Sequence, residues 1–123
     1  MPGALPHLLA GIGLYFIGRI YFKDYFENRA RERVLLAVVC ISFSLLPDIF
    51  LGIYYTTHVL SFETLAFYHN LMHFVFSPVA FILLFLLIFW KGLSRRPIWI
   101  MGVFAIVVHL LMDLFIAEHG VLI

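Results

Sequence analysis

Four long apolar stretches dominate the chain, at about 5–22, 34–57, 67–90 and 97–118. Each is broken only by a few polar residues and separated from the next by a short polar segment. A hydrocarbon core about 30 Å thick needs roughly 20 apolar residues in a helix. The pattern therefore predicts four membrane helices and no strand. With 123 residues, little remains once these spans are assigned, so the expectation is a single domain, 1–123: an all-α, integral membrane four-helix bundle with short loops. The first stretch lacks a basic n-region, which reads as a retained helix and not a cleaved signal peptide.

Composition sharpens this. The chain is 64% hydrophobic and 12% charged, against about 45–50% and 25% for ordinary soluble domains. A net charge of +1 leaves no basic patch able to hold a nucleic-acid backbone. The one cysteine, Cys40, lies in an apolar run and reads as a packing residue.

Loop charge predicts orientation. The first connection holds Lys23, Arg29, Arg31 and Arg33, and the third holds Lys91, Arg95 and Arg96. The second, 58–66, has neither Lys nor Arg. By the positive-inside rule the first and third loops are cytoplasmic and both termini face outward. Within the first loop, Glu27 and Arg31 have the spacing of a helical ion pair.

Against this apolar background six ionisable residues stand out: His7, Asp48, His69, His73, His109 and Asp113. Such groups cost roughly 2.5–3.5 kcal/mol each at the centre of a membrane helix. Their placement is not scattered. His7 begins the first span, and His69 and His73 fall in the first turns of the third. His109 and Asp113 lie in the outer half of the fourth. Asp48 is about nine residues, or ~14 Å, from the outer end of the second. One shared site near the outer leaflet accounts for that common depth.

Spacing points to the chemistry. Residues at i and i+4 share a helix face, with Cβ atoms about 5–6 Å apart. His69 with His73, and His109 with Asp113, can each grip one ion. Imidazole and carboxylate are zinc ligands, and they also suit manganese, iron or nickel. The first-choice ligands are His73, His109 and Asp113, with His69 completing or supporting the set. Pro47 removes a helix hydrogen bond and frees the Phe43 carbonyl, letting Asp48 turn inward as a ligand or general base. His58, Glu63, Glu118 and His119 belong to the outer loops and read as solvated, Glu63 and Glu118 near the mouth of the site.

The order of signatures resembles a known family. His7-Leu-Leu-Ala-Gly11, Leu45-Leu-Pro-Asp-Ile49, the His69/His73 pair and His109-Leu-Leu-Met-Asp113 are similar to the predicted membrane-bound metal-dependent hydrolases, over almost the whole chain. The same order looks like a reduced zinc-dependent phospholipase C pattern. The resemblance implies that His7, Asp48, His69, His73, His109 and Asp113 hold a divalent metal, zinc first, for hydrolysis. Many members carry a second Asp where this chain has Phe50, and a His-Arg-Gly-x-Thr-His-Ser motif where it reads His69-Asn-Leu-Met-His73-Phe74. These departures weaken the case for a second metal and for strong phosphate binding.

The expected function is hydrolysis of a lipid or lipid-linked phosphoester at the outer membrane face. Two other classes remain: a metal-binding or transport protein without catalysis, and a bis-His haem protein.

Overall fold

The computed structural model describes residues 4–90 and 94–118, and every regular element among them is a helix. Four long helices and one short one follow in order: α1 (Ala4–Tyr21), α2 (Lys23–Phe26), α3 (Ala30–Thr57), α4 (Phe62–Phe89) and α5 (Arg96–Glu118). Three are long and apolar enough to cross a membrane: α3, α4 and the Arg96–Phe115 part of α5. α1 has 18 residues, about 27 Å at 1.5 Å per residue, close to the ~30 Å hydrocarbon thickness.

The helices begin earlier than the apolar stretches suggest. α3 starts at Ala30 and takes in Arg31 and Arg33; α4 starts at Phe62. The reason in α4 is a cap. The Ser61 hydroxyl accepts a hydrogen bond from the Thr64 N–H at 3.2 Å, satisfying one of the free donors of the first turn. Glu63 thus sits in the first helical turn, exposed, where a negative charge suits the helix dipole. His58 ends α3 in the left-handed conformation, φ 53°, and is exposed.

The Glu27–Arg31 helical pair does not form. Glu27 closes α2 in extended geometry and Asn28 has φ 60°, so no helix joins the two residues. Glu32 takes that role instead. It accepts from Arg95 Nε at 3.2 Å and from the Tyr25 hydroxyl at 3.3 Å, tying the first connection to the start of α5. Burial and the adjacent Glu32 carboxylate push the Tyr25 hydroxyl pKa up. The Arg95 side chain is half exposed, so this pair adds about 0–1 kcal/mol at most.

Packing centres on α3, with α1 and α5 against it and α4 against α5. One buried cluster joins Leu14 of α1, Leu36, Val39 and Cys40 of α3, and Met101 and Ala105 of α5. Cys40 is fully buried there, as a packing residue should be. A second cluster joins Ala80 and Leu84 of α4 to Ile106 of α5. Large apolar side chains also cover the outside: Phe74, Ile82, Leu83, Leu86 and Phe89 of α4 are exposed. Exposed apolar surface on that scale fits lipid, not water.

One glycine sets a helix separation. A Cβ on Gly11 would lie 3.1 Å from the Cys40 carbonyl oxygen and 3.1 Å from the Ile41 Cα, so α1 and α3 touch backbone to backbone. Small residues allow this close approach between membrane helices. Gly11 itself meets the Ser44 hydroxyl, and His7, one turn earlier on α1, lies beside Asp48.

Candidate metal centre

Both α3 and α4 change helix type at the site. In α3, residues Leu46–Asp48 form a 3₁₀ turn, where Pro47 has no N–H to continue the α pattern. In α4, residues Met72–Phe76 form a π turn that ends with the Ser77 N–H on the Met72 carbonyl. Pro78, again without an N–H, lies just beyond. Such turns are frequent at functional sites, and these two pack against each other. They bring Asp48 and His73 to one point.

The six residues singled out above all converge there, from α1, α3, α4 and α5. His7 Nε2 lies 3.2 Å from Asp48 Oδ2 and 3.3 Å from Asp113 Oδ1. His109 Nε2 lies 3.1 Å from Asp113 Oδ2, and His73 Nε2 lies 2.6 Å from that same oxygen. His69 Nδ1 and His73 Nε2 lie 3.6 and 3.7 Å from Asp48 Oδ1. His7 and His109 are fully enclosed, whereas His69, His73 and Asp113 retain 12%, 12% and 20% side-chain exposure. The site therefore has a closed back at His7 and His109 and a partly open edge at His69, His73 and Asp113.

Two hydrogen bonds decide the histidine tautomers. The Nδ1–H of His109 donates to the Ser44 carbonyl at 2.9 Å, and that of His73 donates to the His69 carbonyl at 3.0 Å. A carbonyl only accepts, so both Nδ1 atoms carry protons. When neutral, each ring then presents a lone pair at Nε2; without an ion, the 2.6 Å contact of His73 Nε2 with Asp113 Oδ2 requires a proton between them. The two Nε2 atoms face one another at 3.2 Å, and both face Asp113 Oδ2. Lone pairs packed together in a low-dielectric interior repel unless protons or a cation lie among them.

Unsatisfied atoms concentrate at the same place. Both nitrogens of His7, both oxygens of Asp48, Nδ1 of His69 and Oδ1 of Asp113 are buried without a hydrogen-bond partner. An unmade bond on a buried polar group costs about 1–3 kcal/mol, more for a charged one. So many in one cluster have a ready explanation in an ion. Two overlapping groups can hold one: His7, Asp48, His109 and Asp113, and Asp48, His69 and His73. In the first group, three contacts of 3.1–3.3 Å join the four side chains, and one ligand atom from each lies within 4.8 Å of the other three. The buried His/Asp cluster can hold a metal ion.

Sequence reasoning missed the groups that aim the rings. The carbonyl in use is that of Ser44, not of Phe43, because the 3₁₀ turn shifts the register of the freed acceptor. Nothing in the sequence pattern marks Ser44 beyond its place one turn before Asp48. Phe50, in the position where many members of the resembled family carry Asp, stacks on Tyr68 at 4.8 Å and adds an apolar wall. The Glu118 side chain and His119 lie outside the described residues.

No family model, curated protein or solved structure matches this chain. The chemical reading rests on the geometry.

Proposed function

We propose that the chain is an integral membrane metal-dependent hydrolase, with α1, α3, α4 and α5 forming a four-helix bundle in the membrane and zinc as its metal. The observation that carries the metal is the pair of mutually facing Nε2 lone pairs, oriented by backbone carbonyls, inside a cluster of unpartnered carboxylate oxygens. Hydrolysis is supported by the order of signatures and by the open edge of the site.

A bound divalent cation lowers the pKa of water toward neutrality and polarises a phosphoryl oxygen. The protein's residues do the rest. Ser44 and the His69 carbonyl fix ring orientation, a supporting arrangement that typically matters 10–100-fold for metal affinity. His7 and His109 close the back of the site against water. His69, His73 and Asp113 border the side from which a substrate approaches.

Lipid is the substrate class that fits this setting. An open groove of about 500 Å³ runs along the break in α3, lined by Ile41, Leu45, Ile49 and Ile53, with Asp48 also on its wall. An acyl chain suits such a lining; the groove meets the cluster at Asp48 alone, on the α3 side and away from the edge at His69, His73 and Asp113. The haem alternative fits less well, because Asp48 and Asp113 occupy the space between the imidazoles. A non-catalytic metal protein is favoured by one feature, the four-residue enclosed group, since closed four-ligand sites are typically structural.

Purified protein in vesicles should release the headgroup or phosphate from at least one lipid phosphoester, and Asp113→Asn should abolish release. Full metal content with no release across a broad lipid panel selects the binding protein instead. In the same reading both termini face outward. A cysteine at Phe62 should then react with an impermeant thiol reagent added outside intact cells, and one at Arg95 should not. The reverse pattern would invert the orientation and move the site to the inner leaflet.

A further inference from the structure

We infer that Asp48 bridges two cation positions, a closed one in the back of the cluster and an open one at its α4 edge. The inference rests on the metal reading above and adds a second ion to it. It comes from the two oxygens of one carboxylate. Asp48 Oδ2 faces His7 Nε2 at 3.2 Å, whereas Oδ1 faces His69 Nδ1 at 3.6 Å and His73 Nε2 at 3.7 Å. Asp48 is more than nine-tenths buried, and neither oxygen has a hydrogen-bond partner. A single cation satisfies one face of this carboxylate and leaves the other buried and bare.

The two positions differ in character. The closed position draws on His7, His109, Asp113 and Asp48, joined by three contacts of 3.1–3.3 Å and with ligand atoms all within 4.8 Å of one another. Four protein ligands leave a tetrahedral ion no open place. The other draws on Asp48, His69 and His73 only. Three protein ligands leave one place for water or substrate, the pattern of catalytic zinc. Its contacts to Asp48 are longer, and both of its histidines are partly exposed, whereas in the first group only Asp113 is. The open position is the one the substrate reaches, and the closed position holds Asp48 in place for it.

His73 links the two. Its Nε2 touches Asp113 Oδ2 at 2.6 Å as well as facing Asp48. Since Nδ1 donates to the His69 carbonyl, a cation at the open position replaces the proton between His73 and Asp113. The lack of a second Asp at Phe50 is then no obstacle, because the second oxygen is Asp48's own.

Zinc titration of metal-stripped protein, with bound metal counted per chain, tests this. Wild type should bind two equivalents, one tighter than the other, and His69→Ala or His69→Asn should bind one. Loading with Mn²⁺ gives a readout independent of variant folding: the wild-type electron paramagnetic resonance signal should show two exchange-coupled ions. One equivalent in wild type, unchanged in both His69 variants and magnetically isolated, overturns the second position and leaves the hydrolase reading standing. No bound metal at all overturns both.

Discussion

Replacing His109 or Asp113 with alanine is expected to abolish stoichiometric metal binding, with affinity falling at least ~100-fold. That exceeds the 10–100-fold typical of supporting residues, because both side chains project into the cluster. His109 is fully enclosed, and its Nε2 meets Asp113 Oδ2 and His73 Nε2 within 3.2 Å. Asp113 contacts three imidazoles, those of His7, His73 and His109. Its loss also leaves those rings without their shared acceptor, so destabilisation of about 1–3 kcal/mol should accompany metal loss, as for a buried polar group left unpartnered. His58→Ala is the control: the residue is exposed at the end of α3 and should bind metal as wild type does. Inductively coupled plasma analysis of the three variants, with thermal melts in detergent, makes the comparison. Wild-type metal content in both His109→Ala and Asp113→Ala would remove the site from the account.

The second large effect is expected at Asp48→Asn. The substitution keeps volume and shape but replaces a carboxylate by one neutral oxygen and an NH₂ group that donates. If Asp48 served only as a general base, metal would stay and turnover would vanish. The surroundings of Asp48 argue for a ligand instead, since three imidazole nitrogens face its two oxygens and no hydrogen bond restrains it. Metal content and lipid hydrolysis should therefore fall together, each at least ~10-fold, in the range of lost metal-site contacts. Metal analysis and hydrolysis measured on one preparation distinguish the roles. Retained metal with lost hydrolysis returns Asp48 to the base.

Several of these features were legible in the chain before its fold. Polar residues at matched depth on four apolar stretches pointed to a single cluster, and all six converge. The i, i+4 spacing placed His109 with Asp113, which touch at 3.1 Å, and His69 beside His73, whose rings lie 4.2 Å apart. Pro47 marked the break in α3. Other features depend on partners distant in sequence. Ser44 orients His109 across 65 residues, and the close approach of α1 and α3 at Gly11 helps set His7 against Asp48. Local spacing suggested Glu27 with Arg31, but a left-handed turn at Asn28 separates them and a distant arginine, Arg95, claims Glu32 instead. The π turn in α4 was also hidden, since Pro78 alone marks a kink without saying which helix type absorbs it. The two separate faces of Asp48 could not be read from a motif that shows only one aspartate.

The most direct test of the central claim is the transition-metal content of the wild-type protein, purified in detergent without chelator and measured by inductively coupled plasma mass spectrometry. At least one equivalent of a divalent transition metal per chain, zinc foremost, is expected, and it should be lost in His109→Ala. Protein that is folded, carries no such metal and takes up none from added zinc, manganese, iron or nickel would contradict it.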